Sequence, residues 1–153
     1  MNEFVIALGS DHGGFLLKED IKNYLKLNNI EYLDFGTDSD ESVDYPLFAE
    51  KVSKSIIFKK ANLGILCCGT GIGMSIAANK FSGIRAAVCT STFESEMSKR
   101  HNNANILCLG ARVLSKNNAL NIVKTFINTS FDGGRHKRRL DQINQFEAKI
   151  SLK

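Results

Sequence analysis

Three glycines in five residues, Gly69-Thr70-Gly71-Ile72-Gly73, follow the cysteine pair Cys67-Cys68. A run of this kind at the start of a helix lets several backbone N–H groups converge on one anion, aided by the helix dipole. The dinucleotide fingerprint is not met. It wants G-x-G-x-x-G after the first strand and an acid about 20 residues on. Here the spacing is G-x-G-x-G behind the third strand candidate, and the next strand ends in Cys89-Thr90-Ser91. No Lys-Ser/Thr follows the glycines, so the phosphate loop of ATPases fails too. Adjacent cysteines in an extended segment point to opposite faces. Cys68 is the nearer to the helix start, where a thiol ionises more readily than a free one. A packed core cysteine is the alternative, because free cysteine is among the most buried residue types. Zinc-type C-x-x-C spacing is absent, and the remaining thiols, Cys67, Cys89 and Cys108, are expected in the core.

Two more groups could do chemistry. Asp11-His12 precedes Gly13-Gly14, and an acid beside an imidazole at a strand's carboxyl end can move protons or bind an anion. The same pair reads equally as a helix N-cap with a surface histidine. The other histidines, His101 and His136, also lie in predicted loops. The basic run Arg135-His136-Lys137-Arg138-Arg139 sits where a last helix would begin, a place that disfavours cations unless an anion is bound there. Arg135 and Arg139 are four apart and can chelate one phosphate from one helix side. A nucleic-acid patch is the weaker reading, because Asp141 and Glu147 follow and no aromatic stacking set accompanies the run.

The elements that must position these groups are legible from periodicity. Phe4–Leu8, Glu31–Phe35, Leu63–Cys67, Ile84–Cys89 and Ile106–Leu109 read as strands, apolar on both faces. Helical patterns lie between them. Leu17, Ile21, Tyr24 and Leu25 share one face, as do Phe48, Val52 and Ile56 behind Pro46. A third helix runs to about Lys80. Ser91-Thr92-Phe93-Glu94 begins a capping box. Ser115 caps a helix whose inner face is Leu120, Val123 and Ile127, and a last helix covers Lys137–Lys149. Strands alternating with helices predict a three-layer α/β/α sandwich around a five-stranded parallel, Rossmann-like sheet. Ligands bind such sheets at the carboxyl ends of the strands.

At 153 residues and 43% hydrophobic, the chain is the size of one domain with a core of its own. The net charge of +4 is too small an excess to mark a nucleic-acid binder by itself. No apolar run is long enough for a membrane span, and Phe4–Leu8 is too short for a signal-peptide core. The expectation is a single cytosolic domain at 1–153.

In order along nearly the whole chain, Gly9-Ser10-Asp11-His12-Gly13-Gly14-Phe15, Asp44-Tyr45-Pro46, Cys68-Gly69-Thr70-Gly71-Ile72-Gly73, Ala77-Ala78-Asn79-Lys80, His101-Asn102, Gly110-Ala111-Arg112 and Gly133-Gly134-Arg135-His136 resemble the type B ribose-5-phosphate isomerase family, which includes allose- and galactose-phosphate isomerases. The resemblance implies interconversion of ribose 5-phosphate and ribulose 5-phosphate without metal or cofactor, the six-carbon sugar phosphates being the alternative. It implies Cys68 as the base, with the amides of Gly69, Thr70, Gly71, Ile72 and Gly73 around the enediolate and the Thr70 hydroxyl close by. His101 would assist ring opening, Asp11 would lie near the sugar hydroxyls and ring oxygen, and Asn102 would hydrogen-bond the substrate. His12, Arg112, Arg135 and Arg139 would hold the phosphate. Members lacking the cysteine use a glutamate just after the third glycine; here that position is Met74. The resemblance also implies a homodimer or dimer of dimers, sites across a subunit interface, and a C-terminal helix reaching a neighbour.

Overall fold

The computed structural model describes residues 4–151. Five strands, β1 (Val5–Ser10), β2 (Glu31–Asp34), β3 (Leu63–Cys68), β4 (Ala86–Val88) and β5 (Ile106–Gly110), form one sheet in the order β2-β1-β3-β5-β4, every pair parallel. Six helices follow the strands: α1 (Phe15–Leu27), α2 (Tyr45–Ile57), α3 (Ile72–Ala78), α4 (Thr92–Arg100), α5 (Lys116–Asn128) and α6 (Arg135–Ser151). A 3-10 turn, His12–Gly14, joins β1 to α1. Among the described residues no helix is long and apolar enough to cross a membrane.

Alternation along the strands divides the core. Ile6, Leu8, Ile65, Cys67, Leu107 and Leu109 face α1 and α5, whereas Ala7, Leu66, Cys68, Ile106 and Cys108 face α2 and α3. Cys67 and Cys68 therefore enter different layers, as neighbours on a strand must. Central strands β1, β3 and β5 are buried almost throughout, but β2 is not apolar on both faces: it is an edge strand and largely exposed. β4 is shorter than its apolar run. Ile84 is drawn into a turn by its N–H to Phe81 O (3.1 Å), and the Arg85 N–H is taken by Asn105 Oδ1 (2.8 Å).

The inner face of α5 is Ala119, Ile122, Val123 and Phe126, with Leu120 and Ile127 only flanking it. The sequence expectation was rotated because it weighted aliphatic side chains and passed over Ala119, whose small size lets the helix approach the sheet. Ser91 and Glu94 make the reciprocal capping box at α4, and Ser115 Oγ caps α5 by accepting from the Asn118 N–H at 3.3 Å. α6 begins at Arg135, two residues earlier than expected, directly after Gly133 and Gly134, both at positive φ (69° and 56°).

One buried ion-pair network braces the carboxyl end of β1. Lys18 is 1% exposed and donates to both Asp34 oxygens at 2.8 Å, while Lys22 pairs with Asp34 and Glu19. Burial pushes the Asp34 carboxyl up, but hydrogen bonds from Lys18, Lys22 and the Gly36 N–H outweigh it and hold it below the usual carboxylate range. Gly36 in turn accepts from Ser10 N at 2.7 Å, one residue before Asp11. Asp34→Ala leaves Lys18 with Glu19 alone and is expected to cost about 2 kcal/mol at pH 7, read as a lower urea midpoint. Because the folded pKa of Asp34 is depressed, the gap from the wild type closes only as the pH falls below about 4.

Candidate functional site

The carboxyl ends of β1, β3 and β5 bring one set of residues together. The Ala111 N–H donates to Cys68 O (2.8 Å) and the Arg112 N–H to Gly69 O (3.0 Å), so the turn after β5 is strapped to the glycine loop after β3. The two loops close around Gly13. A Cβ there would lie 3.3 Å from Asp11 Oδ1, 3.3 Å from the Gly69 nitrogen and 3.4 Å from an Arg112 guanidinium nitrogen. A carboxylate, a backbone amide and a guanidinium thus face one small space that glycine keeps open.

Asp11 is 8% exposed, and its Oδ1 accepts the Gly14 N–H at 3.0 Å. The N-cap reading therefore holds, and it leaves Oδ2 for a ligand. His12 is not a free surface residue. Its Nδ1 accepts from the Val43 N–H (3.2 Å), tying the 37–44 loop to this edge and leaving Nε2 to donate. Thr70 Oγ1 accepts from the Ile72 N–H at 3.3 Å at the entrance to α3.

Cys68 is 5% exposed at the base of the glycine loop, and its Sγ accepts the Gly71 N–H at 3.0 Å. That bond depends on the turn. Gly71 sits at φ +80°, with the Leu109 backbone 3.1 Å from where a Cβ would be, so any side chain would be strained and crowded. The other three thiols are different. Burial pushes Cys67 and Cys108 well up and Cys89 to about 11, and Cys89 Sγ faces the Ala87 carbonyl (4.0 Å) rather than an amide. Among the described residues only the Cys68 sulfur receives a backbone N–H.

Tyr45 had no role in the sequence reading, although Asp44-Tyr45-Pro46 was recognised as a motif. Its ring lies where a Gly73 Cβ would be, 2.8 Å from that point, and walls the third glycine of the loop. The signal available in advance was the glycine itself: a residue at Gly73 with a side chain would meet the first turn of α2.

A second set lies at the opposite edge of the sheet. His101 caps the C-terminus of α4, and the loop after it feeds the start of β5, where Asn105 O accepts from Gly64 N (2.8 Å). Four steps along the strand separate Gly64 from Cys68, about 13 Å. Asp132 N–H donates to Arg100 O (3.0 Å), which brings the start of α6 beside the C-terminus of α4, and Arg135 and Arg139 act on the His136 charge there. The His136 ring stacks on His101 (centroids 4.2 Å apart, planes 8° apart). Burial, His101 and the two arginines push its pKa below the usual value, so His136 is neutral at pH 7. This stacking partner was invisible in the sequence, where the two histidines are 35 positions apart.

His101, Asp132 and His136 bring nitrogen and oxygen ligand types within 4.8 Å of one another. Arg100 Nε already holds both Asp132 oxygens at 3.2 Å. Parallel rings aim their in-plane lone pairs side by side, so an ion about 2.0 Å from one nitrogen would lie well out of the other ring's plane. The cluster is not shaped for a metal.

Residues 6–143 match the ribose/galactose isomerase family. The chain belongs to that family. Ribose-5-phosphate isomerase B of Escherichia coli is 43% identical over 142 residues, 93% of this chain and 95% of that protein. Among solved structures of this isomerase family, the ribose-5-phosphate isomerase B of Clostridium thermocellum aligns with a TM-score of 0.95 at 50% identity, covering 96% of this chain and 99% of that one. That of Mycoplasma genitalium, solved with bound ribulose-5-phosphate, aligns with a TM-score of 0.91 at 39% identity over 97% and 99%. The α/β architecture expected from the sequence is that of these ribose/galactose isomerase structures.

Proposed function

We propose that this chain interconverts D-ribose 5-phosphate and D-ribulose 5-phosphate through a cis-enediolate, with Cys68 as the base. The observation that carries the reading is the Cys68 sulfur, bonded by the Gly71 N–H at 3.0 Å, at the base of a run of loop amides beside Asp11 and Arg112. The thiolate takes the proton from C2 of the open-chain aldose and returns it to C1, while the hydroxyl proton on O2 passes to O1. The negative charge passing onto the sugar oxygens meets the loop amides, each well-aimed donor contributing about 2.7–4 kcal/mol. Met74, just after the third glycine, is fully buried and has no group to take a proton, so Cys68 stands as the base. Once the ring is open, the isomerisation is a set of proton transfers that these side chains and amides can carry without a metal or organic cofactor.

His101 leads into the start of β5, a strand's length from Cys68, and on this reading a second copy supplies His101, Asn102, Arg135 and Arg139 to the site. His101 then assists ring opening opposite Asp11. His12 and Arg112 of one copy and Arg135 and Arg139 of the other hold the phosphate, whose binding fixes C1 and C2 against the sulfur. Exposed apolar residues support the pairing: Ile72 and Ile76 on α3, and Ile143, Phe146 and Ile150 on α6. We take α6 to reach the neighbouring subunit of a dimer or a dimer of dimers.

The test is a parallel assay on ribose 5-phosphate, allose 6-phosphate and galactose 6-phosphate, with and without a chelator. The five-carbon substrate is expected to lead in kcat/KM by roughly 10-fold or more, unaffected by chelation. A lead for either six-carbon sugar phosphate, or no turnover of any, overturns the assignment.

A further inference from the structure

We propose that the cavity at the amino edge of the sheet, under the C-termini of α2 and α4, is a second binding site, for a small anion carrying at least two negative charges. The cavity holds about 790 Å³ and is lined by Lys59, Lys60, Arg85 and Lys99 together with Asn62 and Asn105, and none of its lining residues is acidic. None of the ion pairs among the described residues involves these four cations.

Lys99 is the telling residue. It is 8% exposed, its Nζ donates to the Ala104 carbonyl at 3.2 Å, and its other neighbour is the Phe126 ring at 5.2 Å. Arg85 Nε is shared between the Asn102 and Asn103 carbonyls, at 3.1 and 3.0 Å. Burial lowers the pKa of both groups, and Arg85 lowers that of Lys99 further. Glu147 favours the Arg85 charge from the neighbouring pocket that both residues line, where it also accepts from Ser82 Oγ (2.7 Å) and Gly83 N (3.2 Å), and it stands outside this cavity. Within this cavity the Lys99 ammonium has a carbonyl and a ring for partners and no acid, and a charge so sheltered is costly unless a counter-charge joins it. With the exposed Lys59 and Lys60, the lining carries four cations and no acid.

The shape selects the class. The volume suits a small molecule, and the lining lacks the aromatic side chains that stack bases of single-stranded nucleic acid. Phosphate and carboxylate groups both make charge-assisted bonds with Lys and Arg. The ligand is therefore a phosphorylated or polycarboxylate metabolite, bound at the far edge of the sheet from Cys68.

Titration calorimetry of the whole protein with inorganic pyrophosphate, and separately with citrate, tests the site. Arg135→Ala/Arg139→Ala removes two of the cations assigned above to the substrate phosphate, so that anion binding at the substrate site is weakened and the second site is left intact. Lys59→Asn/Lys60→Gln, at two exposed positions with asparagine suited to the φ of 57° at Lys59, weakens the second site itself. Binding that survives the arginine changes and falls by roughly 10-fold or more with the lysine changes, in either background, supports the proposal. Pyrophosphate alone narrows the ligand to phosphates; citrate on the same lysines includes polycarboxylates. Binding unaffected by Lys59→Asn/Lys60→Gln, or abolished by the arginine changes alone, overturns it.

Discussion

Cys68→Ala is expected to lower kcat by about 10²- to 10⁴-fold, the range contributed by a positioned base, while ribose 5-phosphate still binds. The substrate's phosphate and hydroxyls are held by other groups, so the loss falls on kcat and little on KM. The alanine removes the acceptor of the Gly71 N–H, and a purely structural role for the sulfur would also weaken the enzyme. Cys68→Ser separates the two. The hydroxyl restores an acceptor for that amide but is too weak an acid to ionise at neutral pH, so the serine variant should fold as well as the wild type and remain as slow as the alanine variant. Recovery of more than a tenth of kcat by serine would assign Cys68 to the scaffold.

Mixing two dead variants is expected to restore activity. If each site takes Cys68 from one copy and His101 from another, Cys68→Ala and His101→Ala are defective in different halves of the site. In a paired dimer of one of each, one of the two sites receives both native residues and the other receives neither. Random reassortment of an equimolar mixture places half the dimers in this class, so about a quarter of wild-type activity should return, against almost none for either parent. The effect arises from geometry alone: in one chain Cys68 ends β3, whereas His101 ends α4 and leads into the start of β5. A mixture no more active than its parents after subunit exchange would place the complete site within one chain.

The physics that made the fold readable is local. Apolar runs, the Ser91–Glu94 box, Ser115 and Pro46 each act within a few residues, and the box, Ser115 and Pro46 sit at the helix starts expected of them. Errors came where an element answers to its neighbours. β2 looks apolar enough to be buried but ends the sheet, β4 is cut short by Asn105, and α5 turns Ala119 inward because close packing favours the smaller side chain. Of the candidate site, the half around Cys68 follows from loops at the carboxyl ends of parallel strands. The half around His101 does not, because the His101–His136 stack joins residues distant in sequence. Tyr45 against Gly73 is a contact of the same long-range kind.

Running the isomerisation in deuterium oxide asks most directly whether the Cys68 sulfur carries the proton. A thiolate that takes the C2 proton can exchange it with solvent before delivery, so the wild type should yield ribulose 5-phosphate with deuterium at C1. The small residual product of Cys68→Ala should form far more slowly. Product from the wild type with no solvent deuterium, or undiminished incorporation by the alanine variant, would contradict the account.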